Sequence, residues 1–241
     1  MKLKPFFSYY GAKFSISKHY PEPQYKTIIE PFAGSAGYAC RYPHRQVILY
    51  DLFDDICSLW DYLIHVREEE IKKLPLIHPD QLIDSLNITK EAKLLIAYWA
   101  GYANNYAPKK LSKTVHKYQQ LFPHQVYGWG DAAKARIIRQ LPFIRHWQII
   151  KGCYSEIENT KSTWFIDPPY QVKGCKYAKN KINYENLAAF SLERKGQVIV
   201  CEQMGAEWLP FEPFKEIRNN HNKTTREAVY LQESTEQLQL F

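Results

Sequence analysis

Short apolar runs alternate with amphipathic stretches along this chain. Thr27–Ile29 is β-branched and apolar, which predicts a strand. Gln46–Asp51 repeats the pattern and ends in an acid, as does the run Trp164–Ile166, which stops at Asp167. Gln148–Tyr154 and Gln197–Glu202 predict two more strands, and Thr224–Gln232 predicts an antiparallel end strand. Between them, apolar positions recur at helical spacing. Ile56, Leu59, Trp60, Leu63 and Ile64 predict one helix over 56–70, with Asp54 and Asp55 at its amino end; 90–102 and 184–190 predict two others. Tyr38, Ala39 and Cys40 read as the start of a further helix, and Lys13 as sitting at a helix start. Strands alternating with helices predict an α/β fold with a mainly parallel sheet.

The punctuation between these elements carries the chemistry. Residues 30–37 read Glu-Pro-Phe-Ala-Gly-Ser-Ala-Gly directly after a predicted strand. Gly34 and Gly37 lack side chains where a ligand must approach the backbone. The loop is neither Gly-x-Gly-x-x-Gly nor a P-loop, so the phosphate logic of those motifs does not apply. Asp51, ending the second strand, is placed to accept two ribose hydroxyls. Pro168 and Pro169 cannot donate to a ladder, so the strand before them must stop at Asp167. A stiff turn follows at a strand's carboxyl end, where open α/β sheets hold ligands. Asp167 and the proline carbonyls accept hydrogen bonds there, and Tyr170 offers a flat ring.

Composition narrows the partners. The chain has 241 residues, 45% hydrophobic and 24% charged, as in ordinary globular proteins, with a net charge of +7. A basic balance favours polyanionic partners. It is concentrated in 101–151, where nine Lys and Arg residues face one acid, Asp131. Seven aromatics interleave there, from Tyr106 to Trp147. Basic charge with aromatics fits phosphate contact and base stacking, and it also fits a solvated helical face. Five scattered cysteines without a Cys-x-x-Cys pair argue against a disulfide framework or a zinc site and suit a reducing cytoplasm. The amino terminus lacks the apolar core of a signal peptide, and no run reaches membrane-spanning length. No metal and no membrane are expected.

Together, Asp167-Pro168-Pro169-Tyr170, the 30–37 loop and the order of the motifs resemble the Dam-like (D12 class) adenine-N6 DNA methyltransferases. The resemblance covers most of the chain. It implies a Rossmann-like S-adenosylmethionine-dependent methyltransferase sheet, formed by 1–70 and 146–241, with a mostly helical basic insertion at 71–145 for target recognition. It implies methyl transfer from S-adenosyl-L-methionine to the N6 amino group of a flipped adenine in double-stranded DNA. Asp167, Pro168, Pro169 and Tyr170 take the catalytic roles. Tyr9, Lys13, Glu30, Pro31, Phe32, Gly34, Gly37, Asp51 and Asp167 take the cofactor. Lys109, Lys110, Lys113, Arg136 and Arg139 are the expected DNA contacts. The chain departs from the family at Ala12, where a second glycine is usual, and at 153–155, where an acid is usual and Glu156 is the nearest. The segment around Asn104-Asn105-Tyr106 also departs, so the target sequence is not legible. Residues 171–177 are expected to form a basic lid over the base, and 234–241 a loose tail. The same motif type also serves cytosine N4, RNA adenine and protein glutamine methylation. A non-catalytic nucleic-acid-binding module on this fold is a further alternative.

Overall fold

The structure, a computed structural model, describes residues 2–101, 104–122, 125–172, 181–218 and 224–232. The expected lid from 173 onward and the tail at 234–241 lie outside them. The described residues form a seven-stranded sheet in the order β3-β2-β1-β4-β5-β7-β6. The strands are β1 (Thr27–Glu30), β2 (Gln46–Asp51), β3 (Gln148–Lys151), β4 (Ser162–Ile166), β5 (Gly196–Gln203), β6 (Glu212–Arg218) and β7 (Thr224–Gln232). The first five run parallel, and β7 runs antiparallel to both neighbours. From β1 the chain moves out through β2 to β3, then returns to lay β4 against β1. The order therefore reverses between β1 and β4, which places a crevice at their carboxyl ends.

Both faces of the sheet are covered. Every residue of β4 is buried, the apolar run Trp164–Ile166 together with the polar Ser162 and Thr163 before it. Trp164 and Ile166 face α6 (Tyr184–Glu193), meeting Leu187 and Phe190. Phe165 faces the other way and stacks on Tyr38 at 4.4 Å. That second face holds α1 (Asp54–His65), α2 (Glu68–Lys73), α3 (Lys90–Ala100) and α5 (Asp131–Gln140), whose buried residues share one apolar cluster. Each large apolar side chain buried this way contributes about 1.5–3 kcal/mol. Remaining is α4 (Lys113–Leu121), of which only Val115 is buried.

Several expectations are corrected. The helix predicted over 56–70 is two helices. Arg145 donates to the carbonyls of Ile64 and of Val66 (2.6 Å for the latter), which satisfies the end of α1, and the chain turns extended at Val66 and Arg67 before α2. Lys13 does not open a helix; it lies in a turn ahead of one 3-10 turn at Ser17–His19. No α-helix follows the glycine loop either, only a 3-10 turn at Ala39–Arg41. The strand predicted over 148–154 ends at Lys151. The strand at Thr224–Gln232 is not at the sheet's end, because β6 pairs outside it. Pro213 hides β6 in the sequence; proline is tolerated there because the strand is an edge, with a bulge between Pro213 and Lys215.

Candidate active site

The peptide after β4 is held by four separate elements. Lys13 Nζ reaches Asp167 Oδ1 at 3.1 Å. The Tyr184 hydroxyl, from α6, donates to the Pro169 carbonyl at 2.9 Å. The Tyr170 hydroxyl donates to Glu227 Oε2, on β7, at 2.6 Å. The Gln171 N–H donates to Glu202 Oε2, on β5, at 2.9 Å. The Pro-Pro turn is thus stiff by covalent structure and fixed by its partners. One of the carbonyls expected to be free, that of Pro169, is in use.

Charge here is concentrated and shielded from water. Asp167 is 18% exposed and Lys13 7%. Burial pushes the Asp167 carboxyl up to about 6; Lys13 opposes that rise and Glu227 adds to it. Lys13 Nζ also stands 4.6 Å from the centre of the Tyr170 ring. Tyr170 is buried deeply enough to push its hydroxyl well above the usual range, with Asp167 and Glu227 contributing.

A cavity of about 490 Å³ opens beside this cluster. Asp167 and Lys13 line one part of it and Asp51 another, with the 30–37 loop between them. Asp51 is half-buried, and burial raises its carboxyl. Its two oxygens accept from the N–H groups of Gly34 (3.1 Å) and Phe53 (2.9 Å). Each keeps acceptor capacity for a further donor. Phe32, Phe53, Cys153 and Tyr154 add an apolar wall, with the Phe32 and Tyr154 rings 5.6 Å apart.

The glycines of the loop also have a packing role. A Cβ on Gly37 would lie 2.6 Å from the Phe14 nitrogen, and one on Gly34 3.2 Å from the Tyr9 ring. Gly34 also has a φ of +43°. Both glycines therefore admit the amino-terminal segment 9–14 against the loop, and both also line the cavity. Tyr9 is buried and fixed edge-on by Tyr98. Trp60 N–H donates to the Gly34 carbonyl at 2.8 Å, tying the loop to α1.

Glu30 lines the cavity and also braces the loop. Its Oε1 accepts the Ala39 N–H at 2.7 Å, and burial pushes it up to about 8. Pro31 and Phe32 also line the cavity. Pro168 is buried within the held turn. Among the residues that line the cavity or hold the turn, sequence reading gave no role to Ser35, Tyr154, Tyr184, Glu202 and Glu227. The Ser35 hydroxyl is buried at the cavity wall without a hydrogen-bond partner among the described residues. Ser35 stood inside the recognised loop and was legible there. Glu227 lies 57 residues from Tyr170, and nothing local signals the pair.

The expected DNA contacts fall elsewhere. Lys109, Lys110 and Lys113 are exposed. Lys113 opens α4, whose first turn carries no acid, so its charge opposes the helix dipole. Arg136 lies 4.7 Å over the Trp99 ring, half-buried, and Arg139 is exposed. Three other cations of the basic stretch are structural. Lys134 donates to the Lys72 carbonyl at 3.2 Å, Arg145 holds the end of α1, and Lys151 pairs with Asp54 at 2.5 Å. Of the aromatics, Trp129 and Trp147 are buried, whereas Tyr118, Phe122 and Tyr127 form an exposed cluster with centroids 5.4–6.1 Å apart.

Cys40, Cys57, Cys153 and Cys201 are free thiols. Among the described residues no group of three His, Cys, Asp or Glu could hold a metal ion, and no helix is long and apolar enough to cross a membrane. No curated protein matches the chain. A family does: D12 class N6 adenine-specific DNA methyltransferase, over residues 11–232. That range includes the sheet, the held turn and all of the cavity lining except Tyr9 and Tyr10, and with it the chain belongs to the D12 class of N6 adenine-specific DNA methyltransferases, enzymes that methylate the adenine N6 amino group in DNA.

Proposed function

We propose that the methyl donor is S-adenosylmethionine, bound in the cavity between Asp51 and Asp167, and that the target adenine enters flipped out of a duplex. The observation that carries this reading is the cavity itself. A half-buried carboxylate with acceptor capacity left marks one part of it, an apolar aromatic wall and an orphaned Ser35 hydroxyl border it, and an anion–cation pair marks the other part. Asp51 suits ribose hydroxyls, and the Phe32–Tyr154 wall suits a purine. Tyr9 and Lys13, which also line the cavity, are assigned to the methionine portion. The cofactor supplies an electrophilic methyl on a sulfonium.

The chain's own residues then act on the adenine. Its N6 lone pair is delocalised into the ring and is a poor nucleophile. Asp167 and the Pro168 carbonyl accept hydrogen bonds from the amino group and favour a tetrahedral nitrogen with its lone pair available. Tyr170 stacks the base. Because the turn is fixed before substrate arrives, positioning supplies much of the rate. A base inside a duplex cannot reach a cavity of this kind, so flipping is required. Lys109, Lys110, Lys113 and Arg139, with the exposed aromatics, serve the phosphate backbone and unstacked bases, and 71–145 is the recognition region. Cytoplasmic double-stranded DNA is the partner.

Calorimetric titration with S-adenosylmethionine tests the cofactor assignment. Saturable heat is expected, and Asp51→Ala should weaken binding by roughly 1–3 kcal/mol, the cost of removing a charged acceptor. Absence of heat and of any thermal shift at millimolar cofactor contradicts it.

A further inference from the structure

We infer that Glu227 is a positioning residue for the methyl-transfer site, holding the Tyr170 ring in place through the part-buried Tyr170–Glu227 hydrogen bond. This rests on the proposed role of Tyr170 in stacking the target base.

Three observations carry it. The bond is 2.6 Å long and Glu227 is 6% exposed, so the hydroxyl is held by a water-shielded carboxylate acceptor. Glu227 sits on β7 in register with Gln203 of β5 and Lys215 of β6, inside three paired strands. Tyr170, by contrast, lies on a turn that no ladder supports. The sheet's antiparallel edge is thereby recruited to set the angle of a ring borne by its parallel half. Without this bond, rotation about χ1 and χ2 would be limited only by packing and by Lys13 above the ring.

Glu227 also reaches Asp167 through space. Asp167 faces Lys13 from the amino-terminal segment, Glu30 on β1, Cys201 and Glu202 on β5, Tyr20, Glu227 on β7, and its own Tyr170. Within this set Lys13 is the cation. Glu227 opposes ionisation of Asp167, so removing its charge should ease that ionisation. A role confined to fold stability predicts no such change.

The test is a double-mutant cycle on the full-length enzyme, measured as methyl transfer to unmethylated duplex DNA across pH 5–9. The variants are Glu227→Leu, Glu227→Gln, Tyr170→Phe and Tyr170→Phe with Glu227→Leu. Glu227→Leu should lower kcat/KM roughly tenfold or more, the expected scale for a buried hydroxyl left unpaired. Glu227→Gln keeps an acceptor and should recover most of that loss, while moving the acidic limb of the kcat/KM profile to lower pH. In the Tyr170→Phe background, Glu227→Leu should add little. Equal losses in Glu227→Gln and Glu227→Leu, an unmoved limb, or full multiplicativity of the double variant overturns the inference. If Glu227→Leu fails to fold by thermal melting, the same cycle is closed with Glu227→Ala, whose loss should likewise vanish in the Tyr170→Phe background. A wild-type enzyme that does not label adenine defeats the functional reading. A wild-type enzyme that does, with Glu227 variants indifferent to Tyr170, defeats this inference alone.

Discussion

Lys13 and Lys113 are the same residue type put to opposite uses. Lys13 is buried, ion-paired to Asp167 and set above the Tyr170 ring. Lys113 is exposed at the start of a helix whose dipole it opposes. The first works by shifting a proton equilibrium in a site shielded from water, where charges interact strongly. The second can work only by neutralising phosphate and releasing counterions, and it is screened by salt. The held turn and the α4 region therefore answer to different solution variables: pH for one, ionic strength for the other.

Removing Lys13 should break the contrast most severely. Lys13→Met leaves a buried carboxylate without its cation, a class of change that costs several kcal/mol when the charge must persist. Part of that cost is avoided by protonating Asp167. Lys13 holds the Asp167 carboxyl below where burial alone would put it, so its loss raises that value above about 6. In the proposed mechanism Asp167 acts as an anion, so activity should fall about 10- to 100-fold at neutral pH and recover as pH rises. A kcat/KM profile for the variant checks both direction and shape.

Replacing Lys109, Lys110 and Lys113 together with Ala should leave the pH profile alone and change the salt response. Each lysine that no longer neutralises a phosphate lowers the slope of log affinity against log salt by about 0.9. Duplex-binding titrations should show that slope reduced by roughly 1–3 in all, with cofactor binding unaltered.

Glu30 sharpens the comparison at the smallest scale, since it is buried like Lys13 but serves the loop. Its folded value, about 8, lies above the ordinary carboxylate value, so the folded state holds a proton that the unfolded chain releases. Its contribution to stability therefore falls as pH rises from about 4.5 to about 8. Glu30→Gln mimics the protonated form and should flatten that slope in urea titrations at several pH values, with midpoints little changed below about pH 4.5 and raised near neutrality.

The two regions also differ in how far the sequence discloses them. Asp167, Gly34 and Asp51 were legible because strand ends and turns are local facts: an apolar run, two prolines, two glycines. The partners that fix the turn were not, because Tyr184, Glu202 and Glu227 reach it from 15, 31 and 57 residues away. The packing of Gly37 against the Phe14 backbone was not legible, because that neighbour comes from a segment without periodicity. Arg145 counted toward the basic stretch and is a helix cap, bonded to carbonyls about 80 residues away in the chain. Charge counting located the basic stretch, yet it could not separate Lys134 and Lys151, which are paired, from Lys109 and Lys110, which are exposed.

The central claim is that the held turn performs the methyl transfer, with Asp167 as the charged acceptor for the adenine amino group. Tritiated methyl transfer from S-adenosylmethionine to unmethylated duplex DNA, followed by nucleoside analysis, tests it most directly. The account predicts label in N6-methyladenine with the wild-type enzyme. With Asp167→Ala, folded by thermal melting, it predicts a loss of at least about 100- to 1,000-fold. Label in N4-methylcytosine or in protein, or equal label with Asp167→Ala, would contradict it.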